Sequence, residues 1–319
     1  MNKFTKFSVR ATAVAALLSL GGTAFAVTYD SNIEFDNTYR SGSAVTAAGA
    51  NTGLSQGGRV EFNGSGKAGA DMFVTGRATL LAKQDGTAAT DDMWIQVGSA
   101  KGDIKLGRFE AADLFPIVGD TLVNHAGGVY YSNAMRGRGA VSSSNPFHAA
   151  GTINLGNGLS LEVGVMQSKV VGDVSGVRPV LSYASGNLNL SIGLEAGKYQ
   201  GTDNDVSGVG ATVGYNFGAF KLTGNMASGK TDAASNNSKS AYALTVSAGG
   251  LSAGLIAGTT DAASGQDKVQ TGYLAYNMPL FDIKGASVTP AISTSTLKNS
   301  TTGTDLQENA FRVRLNYAF

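Results

Sequence analysis

The chain of 319 residues has no cysteine, five prolines, one tryptophan and two histidines. Without cysteine there is no disulfide, no thiolate metal ligand and no thiol nucleophile, so an exported protein of this sequence must gain its stability another way. With so few prolines, nearly every residue keeps the backbone donor that a hydrogen-bonded ladder needs. Beyond residue 26 no stretch approaches the ~18 consecutive apolar residues of a membrane-spanning helix. The formal net charge of +1 supplies no basic excess for nucleic acid. The histidines, His125 and His148, are too few for a convincing metal or nucleophile–histidine site. A pairing of His148 with Ser142, Ser143 and Ser144 is conceivable, but a solvated or loop-packing histidine is the plainer reading. Gly208–Gly214 misses the spacing of a nucleotide loop and no helix follows it.

What the chain does have is glycine, 44 residues of it, and alternation. Lys3, Lys6 and Arg10, the apolar stretch Ala11–Leu20 and Ala24-Phe25-Ala26 form the pattern of a secretory signal peptide, predicting cleavage after residue 26 and a mature domain over 27–319. In that domain apolar and polar residues alternate with a period of two, which places them on opposite faces of strands. About sixteen strands are predicted: Thr28–Arg40, Gly57–Ser65, Ala70–Ala82, Asp91–Ser99, Gly102–Arg108, His148–Leu155, Leu159–Ser168, Val177–Ala184, Leu188–Tyr199, Ser207–Asn216, Ala219–Ser228, Lys239–Ala248, Leu251–Thr260, Lys268–Met278, Ala286–Leu297 and Glu308–Phe319. Most are near the ~9–11 residues that a tilted transmembrane barrel strand requires.

The connections alternate too. Gly156-Asn157-Gly158, Ser185-Gly186-Asn187 and Gly249-Gly250 are tight turns, and longer polar segments such as Ser41–Gln56 and Lys298–Gln307 lie between them. Short turns on one side and longer loops on the other are the arrangement of outer-membrane barrels. In the last strand Phe311, Val313, Leu315, Tyr317 and Phe319 share one face, and Arg312, Arg314 and Asn316 the other. Charged inward faces, as in Arg59, Glu61 and Asn63 or Asp71, Thr75, Arg77 and Thr79, imply a wet lumen, because a dry core would penalise each charge. The predicted fold is therefore an all-β transmembrane antiparallel barrel. One connection stands apart: after Arg108 some forty residues pass before the next strand, and they include Phe109, Leu114 to Val118, Tyr130 and Tyr131. Apolar content of that kind predicts that the loop folds against the barrel wall.

Trp94-Ile95-Gln96-Val97-Gly98, leading through a turn into Gly102 to Arg108 with its Lys105-Leu106-Gly107-Arg108 ending, and the terminal Tyr317-Ala318-Phe319 resemble the general-diffusion porins of Gram-negative bacteria, particularly the β-proteobacterial type. The resemblance covers essentially the whole mature chain; Arg136–Pro146 departs from the pattern ahead of the sixth strand. It implies a homotrimer of sixteen-stranded barrels in the outer membrane, each with the third loop folded inward to narrow the pore. It also implies contact with outer-membrane lipid and lipopolysaccharide, insertion by the barrel-assembly machinery, and no cofactor or catalysis. The function implied is passive diffusion of small hydrophilic solutes and ions. Arg59, Arg108 and Arg136 or Arg138 are then constriction residues. Parity supports Arg59 and Arg77 as inward, and Lys105 joins them as a candidate. Glu110, Asp113 and Asp120 in the third loop would set a field across the pore, unless they only cap turns. Phe311, Leu315, Tyr317 and Phe319 would form the assembly signal. A substrate-specific sugar or organic-acid channel is the alternative, but most aromatics fall on the outward parity, leaving Trp94 as the one indole able to face the lumen. Enzymatic and purely structural barrels come after it.

Overall fold

A computed structural model describes residues 27–44, 53–68, 71–119, 146–202, 204–231, 237–262, 265–299, 303 and 305–319. The predicted signal peptide, most of the first loop and residues 120–145 lie outside them. The strands are β1 (Val27–Ser41), β2 (Ser55–Ala68), β3 (Met72–Lys83), β4 (Ala88–Ser99), β5 (Gly102–Arg108), β6 (Phe147–Gly156), β7 (Leu159–Gln167), β8 (Val174–Ser185), β9 (Leu188–Tyr199), β10 (Asp205–Asn216), β11 (Lys221–Thr231), β12 (Asn237–Ala248), β13 (Leu251–Ala262), β14 (Gly265–Tyr276), β15 (Met278–Pro279), β16 (Ala286–Asn299) and β17 (Asp305–Ala318). The two-residue β15 continues the ladder of β14 on β16, so the wall consists of sixteen long strands. Each is antiparallel to its neighbours, and β17 pairs with β1 to close the cylinder. The last residue takes part in closure: Ser31 N–H donates to the Phe319 carbonyl at 2.8 Å, and Phe319 N–H donates to the Ser31 carbonyl at 2.9 Å.

All sixteen predicted strands are present. They run longer than expected at several ends, with β2 extending from Ser55 to Ala68 and β8 starting at Val174. The sequence signal fades there because those residues stand beyond the apolar belt, where outward positions no longer need to be hydrophobic. Tight turns demand left-handed backbone, and Gly156, Asn157 and Gly158 adopt it with φ of 87°, 51° and 81°.

The two faces separate as the alternation predicts. Ile33, Phe35, Met93, Ile95, Leu194, Val213, Leu255, Ile292, Phe311, Leu315 and Tyr317 are all more than one-third exposed. Apolar exposure continuing around a whole barrel is untenable in water and natural in lipid. About half of the buried residues are polar or charged, among them Thr38, Glu61, Thr79, Asp92, Thr223, Asn225, Thr245 and Glu308, and the rest are mainly small apolar residues and the start of the third loop.

One irregularity matters to the lumen. Between β3 and β4 the register slips, from Ala78 opposite Met93 to Leu80 opposite Thr90. This bulge leaves Asp91 and Asp92 sharing one partner position, and both are buried. Strict alternation would have sent one of these two carboxylates toward lipid.

Facing is directly testable on β1. Ile33→Arg places a charge in the apolar belt and is expected to cost about 2–4 kcal/mol if near the midplane. Asn32→Arg, one residue away, lies beside Glu34 and Glu61 on the lumen face and should be tolerated. Urea unfolding of the two variants in lipid vesicles measures the difference; equal stability would mean that the facing of β1 is wrong.

Candidate functional site: the lumen wall and the start of the third loop

The basic candidates of the sequence come together on one arc of the wall. Arg59 stands on β2, Arg77 on β3, Lys105 and Arg108 on β5. Their partners are carboxylates and rings of neighbouring strands. Arg59 Nε lies 2.7 Å from Glu34 Oε2, and its Nη2 donates to Glu34 Oε1 at 3.1 Å. Arg77 Nη1 is 3.3 Å from Glu61 Oε2 and 3.7 Å from Asp92 Oδ2, while its Nε donates to Asn63 Oδ1 at 2.9 Å. Arg108 Nε donates to the Asp91 carbonyl at 2.7 Å, so the bulge that buries Asp91 also offers a backbone acceptor. Lys105 Nζ sits 4.6 Å from the Trp94 ring centre and 5.4 Å from that of Phe109, and Arg77 lies 5.7 Å from the Trp94 ring. Trp94 thus faces the lumen, but under two cations.

Sequence reasoning missed half of this network. Arg314 on β17 forms a two-pronged contact with Asp36 on β1, Nε to Oδ1 at 2.7 Å and Nη2 to Oδ2 at 2.9 Å, and its Nη1 is 3.6 Å from Glu34. Arg312 Nη1 is 3.7 Å from Asp36, and Arg40 Nε is 3.7 Å from Glu308. Inward parity marked Arg312 and Arg314 as lumen-facing. Pairing them required knowing that β17 lies beside β1, since Arg314 and Asp36 are 278 residues apart. The arc from β17 to β5 is therefore a lattice of arginines and carboxylates tied strand to strand.

Across the barrel the inner wall carries something else. Residues 109–119, the start of the third loop, run along the inner face from β6 to β14. Phe109 stacks on His148 of β6 with ring centres 3.9 Å apart and 8° between planes. His148 is buried and acts in packing this loop; His125 lies outside the described residues. Ala112 N–H donates to Glu162 Oε1 on β7 at 2.8 Å. Leu114, fully buried, lies over Gly193 of β9, where an added Cβ would stand 2.7 Å from its Cδ1 and 2.9 Å from the Pro179 carbonyl, so only glycine permits this approach. Phe115 packs into a cradle of Ala227, Ala241, Ala243 and Ile256, with Ile117 beside it. Asn225 Nδ2 donates to the Pro116 carbonyl at 2.7 Å, and the Tyr273 hydroxyl donates to the Val118 carbonyl at 2.6 Å. Small residues on β11 and β12 thus make room for the loop, and two long polar side chains bind its backbone.

Of the acidic candidates, Asp113 caps a turn by accepting Phe115 N–H at 2.9 Å, and Glu110 is exposed. Asp120, Arg136 and Arg138 lie outside the described residues. Phe311, Leu315 and Tyr317 are exposed on the outer face, and Phe319 is 60% exposed at the barrel's end. Away from the wall, Asp85 is held below the ordinary carboxylate range by the Thr87 hydroxyl and then by its N–H, which marks a capped turn between β3 and β4.

Neither a described protein family nor a curated protein matches the sequence. Solved structures do match, along nearly their whole length. The chain is similar to OmpT of Vibrio cholerae in a form lacking loop L8, an outer-membrane protein, with a TM-score of 0.70, 13% identity, and 93% of this chain covering 100% of that one. An anion-selective porin from Comamonas acidovorans matches with a TM-score of 0.67, 17% identity, and 93% of this chain and 100% of that chain covered. Salmonella typhi OmpF, in complex with daunomycin, gives 0.67, 12%, 92% and 97%. The fold is that of the porins, a closed sixteen-stranded antiparallel barrel.

The loop anchors can be tested. Asn225→Ala combined with Tyr273→Phe removes two hydrogen bonds to loop backbone, each worth about 0.5–1.5 kcal/mol. Thermolysin cleavage between Ile117 and Val118 should then accelerate while the barrel's thermal transition stays close to the parent's. Unchanged cleavage would mean that the alanine cradle holds the segment alone.

Proposed function

We propose that the protein is a passive water-filled channel of the bacterial outer membrane for small hydrophilic solutes and ions, reached through export directed by residues 1–26. The observation that carries this reading is the pairing of an apolar exterior with a charged interior in one closed barrel. Lipid accounts for the first and water for the second. The short-turn end and both termini of the mature chain face the periplasm, and the longer loops face outward.

The third loop, on this reading, narrows the passage from one side while the arginine–carboxylate lattice lines the other. Permeants then cross between a polar, fixed-charge surface and loop backbone anchored on small residues, and no bond is made or broken. A trimer follows the arrangement of the porin fold, and one structure similar to this chain is described as a trimer form of Vibrio cholerae OmpT. Insertion by the barrel-assembly machinery would read Phe319 and the outward row before it.

Two experiments test this. Arg59→Gln with Arg314→Gln releases Glu34 from both of its cations and leaves Asp36 with Arg312, at the same arc of the wall. In a planar bilayer under a KCl gradient the zero-current potential should move toward cation preference. The shift should shrink at high salt, since the Debye length falls from ~10 Å at 0.1 M to ~3 Å at 1 M. A conducting variant with unchanged preference would remove this wall from the permeation path; a parent barrel that never conducts would refute the channel. Deleting Phe319, separately, removes both closure bonds to Ser31 and should lower the yield of heat-modifiable barrel, which gel electrophoresis without boiling reads directly.

A further inference from the structure

Between the charged arc and the wall that carries the third loop lies a hollow of about 250 Å³. It lies beside the short turn Gly249-Gly250. Gly119 of the loop bounds it, pressed so close to Ser252 of β13 that a Cβ would have no room. Asn277, just after β14, Ser287 and Thr289 of β16 and Asn316 of β17 complete a lining of hydroxyls and amides, and the buried Ala275 keeps the space open.

The register explains why these groups meet. Ser287 stands opposite Asn316 and Thr289 opposite Arg314, while Asn316 in turn lies opposite Glu34 of β1. Neighbouring strands are about 4.8 Å apart, so hydrogen-bonding groups recur around this wall at close to the width of a sugar ring. Asn277 Nδ2 donates to Thr289 Oγ1 at 2.8 Å and to Ser287 Oγ at 3.1 Å. Those bonds use the amide hydrogens and one lone pair of each hydroxyl. The Asn277 carbonyl oxygen can still accept, and both hydroxyls can still donate. The charged rim, Glu34 and Arg314, is answered within the wall. Arg314 grips Asp36 at 2.7 and 2.9 Å, and Glu34 accepts from Arg59 at 2.7 and 3.1 Å. An ion entering the hollow must compete with those contacts. A neutral solute needs only the hydroxyls and amides.

We propose that this hollow is a subsite for a small neutral polyhydroxylated solute, of the size of a monosaccharide, held by Asn277, Ser287, Thr289 and Asn316. The inference rests on the channel reading above and names one class of permeant that the wall contacts specifically. The volume, about that of eight waters, takes one sugar ring, and a disaccharide would keep its second ring in the lumen. No aromatic side chain lines the hollow among the described residues, so hydrogen bonds alone hold the solute. Weak residence of this kind suits a channel, where a bound permeant must also leave.

The test uses the full-length barrel in planar bilayers, with single-channel KCl current recorded as D-glucose, glycine or acetate is added. D-glucose should produce saturable excess current noise, and glycine and acetate none. Asn277→Ala with Ser287→Ala removes hydrogen-bonding groups without touching a charge. The dissociation constant for D-glucose should then rise roughly tenfold, about 1.4 kcal/mol. Ser287→Leu fills the hollow and should abolish the noise; open-channel current shows that each variant measured is a folded barrel. Noise from D-glucose that is the same in the parent and in either conducting variant overturns the site. Longer residence of glycine than of D-glucose overturns it as well, because Glu34 and Arg314 would then be the anchors of a zwitterion. A conducting parent without D-glucose noise refutes the subsite and leaves the channel standing, whereas a parent that never conducts refutes the channel and the subsite with it.

Discussion

Backbone closure is the constraint on which everything else rests. In hydrocarbon an unpaired N–H or C=O has no water to turn to, so a sheet crossing a membrane can have no free edge. β17 meets that demand by pairing with β1 over ten residues and ends with Phe319 bonded to Ser31. Closure fixes the pleat, and the pleat then fixes every side chain as inward or outward. A chain without cysteine needs no further cross-link, because each strand is held on both sides. The same geometry explains the near absence of proline within strands. Pro179 stands in β8, Pro279 in β15 and Pro290 in β16, and elsewhere the ladder keeps its donors.

Closure also creates the lumen's chemistry. Arg314 and Asp36 are neighbours only because the last strand lies beside the first, and their contact is a two-pronged ion pair. Glu34 accepts from Arg59 on one side and lies near Arg314 on the other, so the charges of β17, β1 and β2 are linked across the seam. Partly wet pairs of this kind contribute little to stability one at a time. Their effect is positional: each guanidinium is held to a carboxylate one strand away, against the wall and out of the middle of the lumen.

Strand positions, facing and the anomalous loop were legible in the sequence because each follows from a period or its interruption. Val313 and Leu315 alternate with Arg312, Arg314 and Asn316 whatever lies beside them, and no knowledge of partners is needed to place them. The Lys105 to Arg108 motif fell in β5 as expected, and its Gly107 has a physical reason: with φ of 120° and the Met93 carbonyl 2.4 Å from where a Cβ would stand, no other residue fits. What stayed hidden was lateral. The alternation of β4 does not announce the bulge that buries both Asp91 and Asp92. Nothing in the spacing joins Tyr273 to Val118, or Asn225 to Pro116, because these contacts cross the barrel. Such pairs depend on which arc of the wall the loop lies against, and only the folded cylinder decides that.

The arrangement bears on how charge would act on a permeant. A fixed field across a lumen is strong where charges of one sign gather on each side and weak where each cation already sits beside an anion. Here the arc from β17 to β5 mixes both signs: Arg40, Arg59, Arg77, Lys105, Arg108, Arg312 and Arg314 stand among Glu34, Asp36, Glu61, Asp91, Asp92 and Glu308. On the channel reading, the wall by itself gives a polar surface on which the two signs nearly balance. It can solvate ions of either sign along its length, and its preference is set by local exposure. On the opposite arc Glu162, Arg178 and Glu195 stand on β7, β8 and β9, and loop backbone, Phe115 and Ile117 cover part of the wall. Selectivity on this reading arises from one side with its charges open to the lumen facing one side partly covered by the loop, and it is tuned by how tightly each arginine is tied to its neighbour.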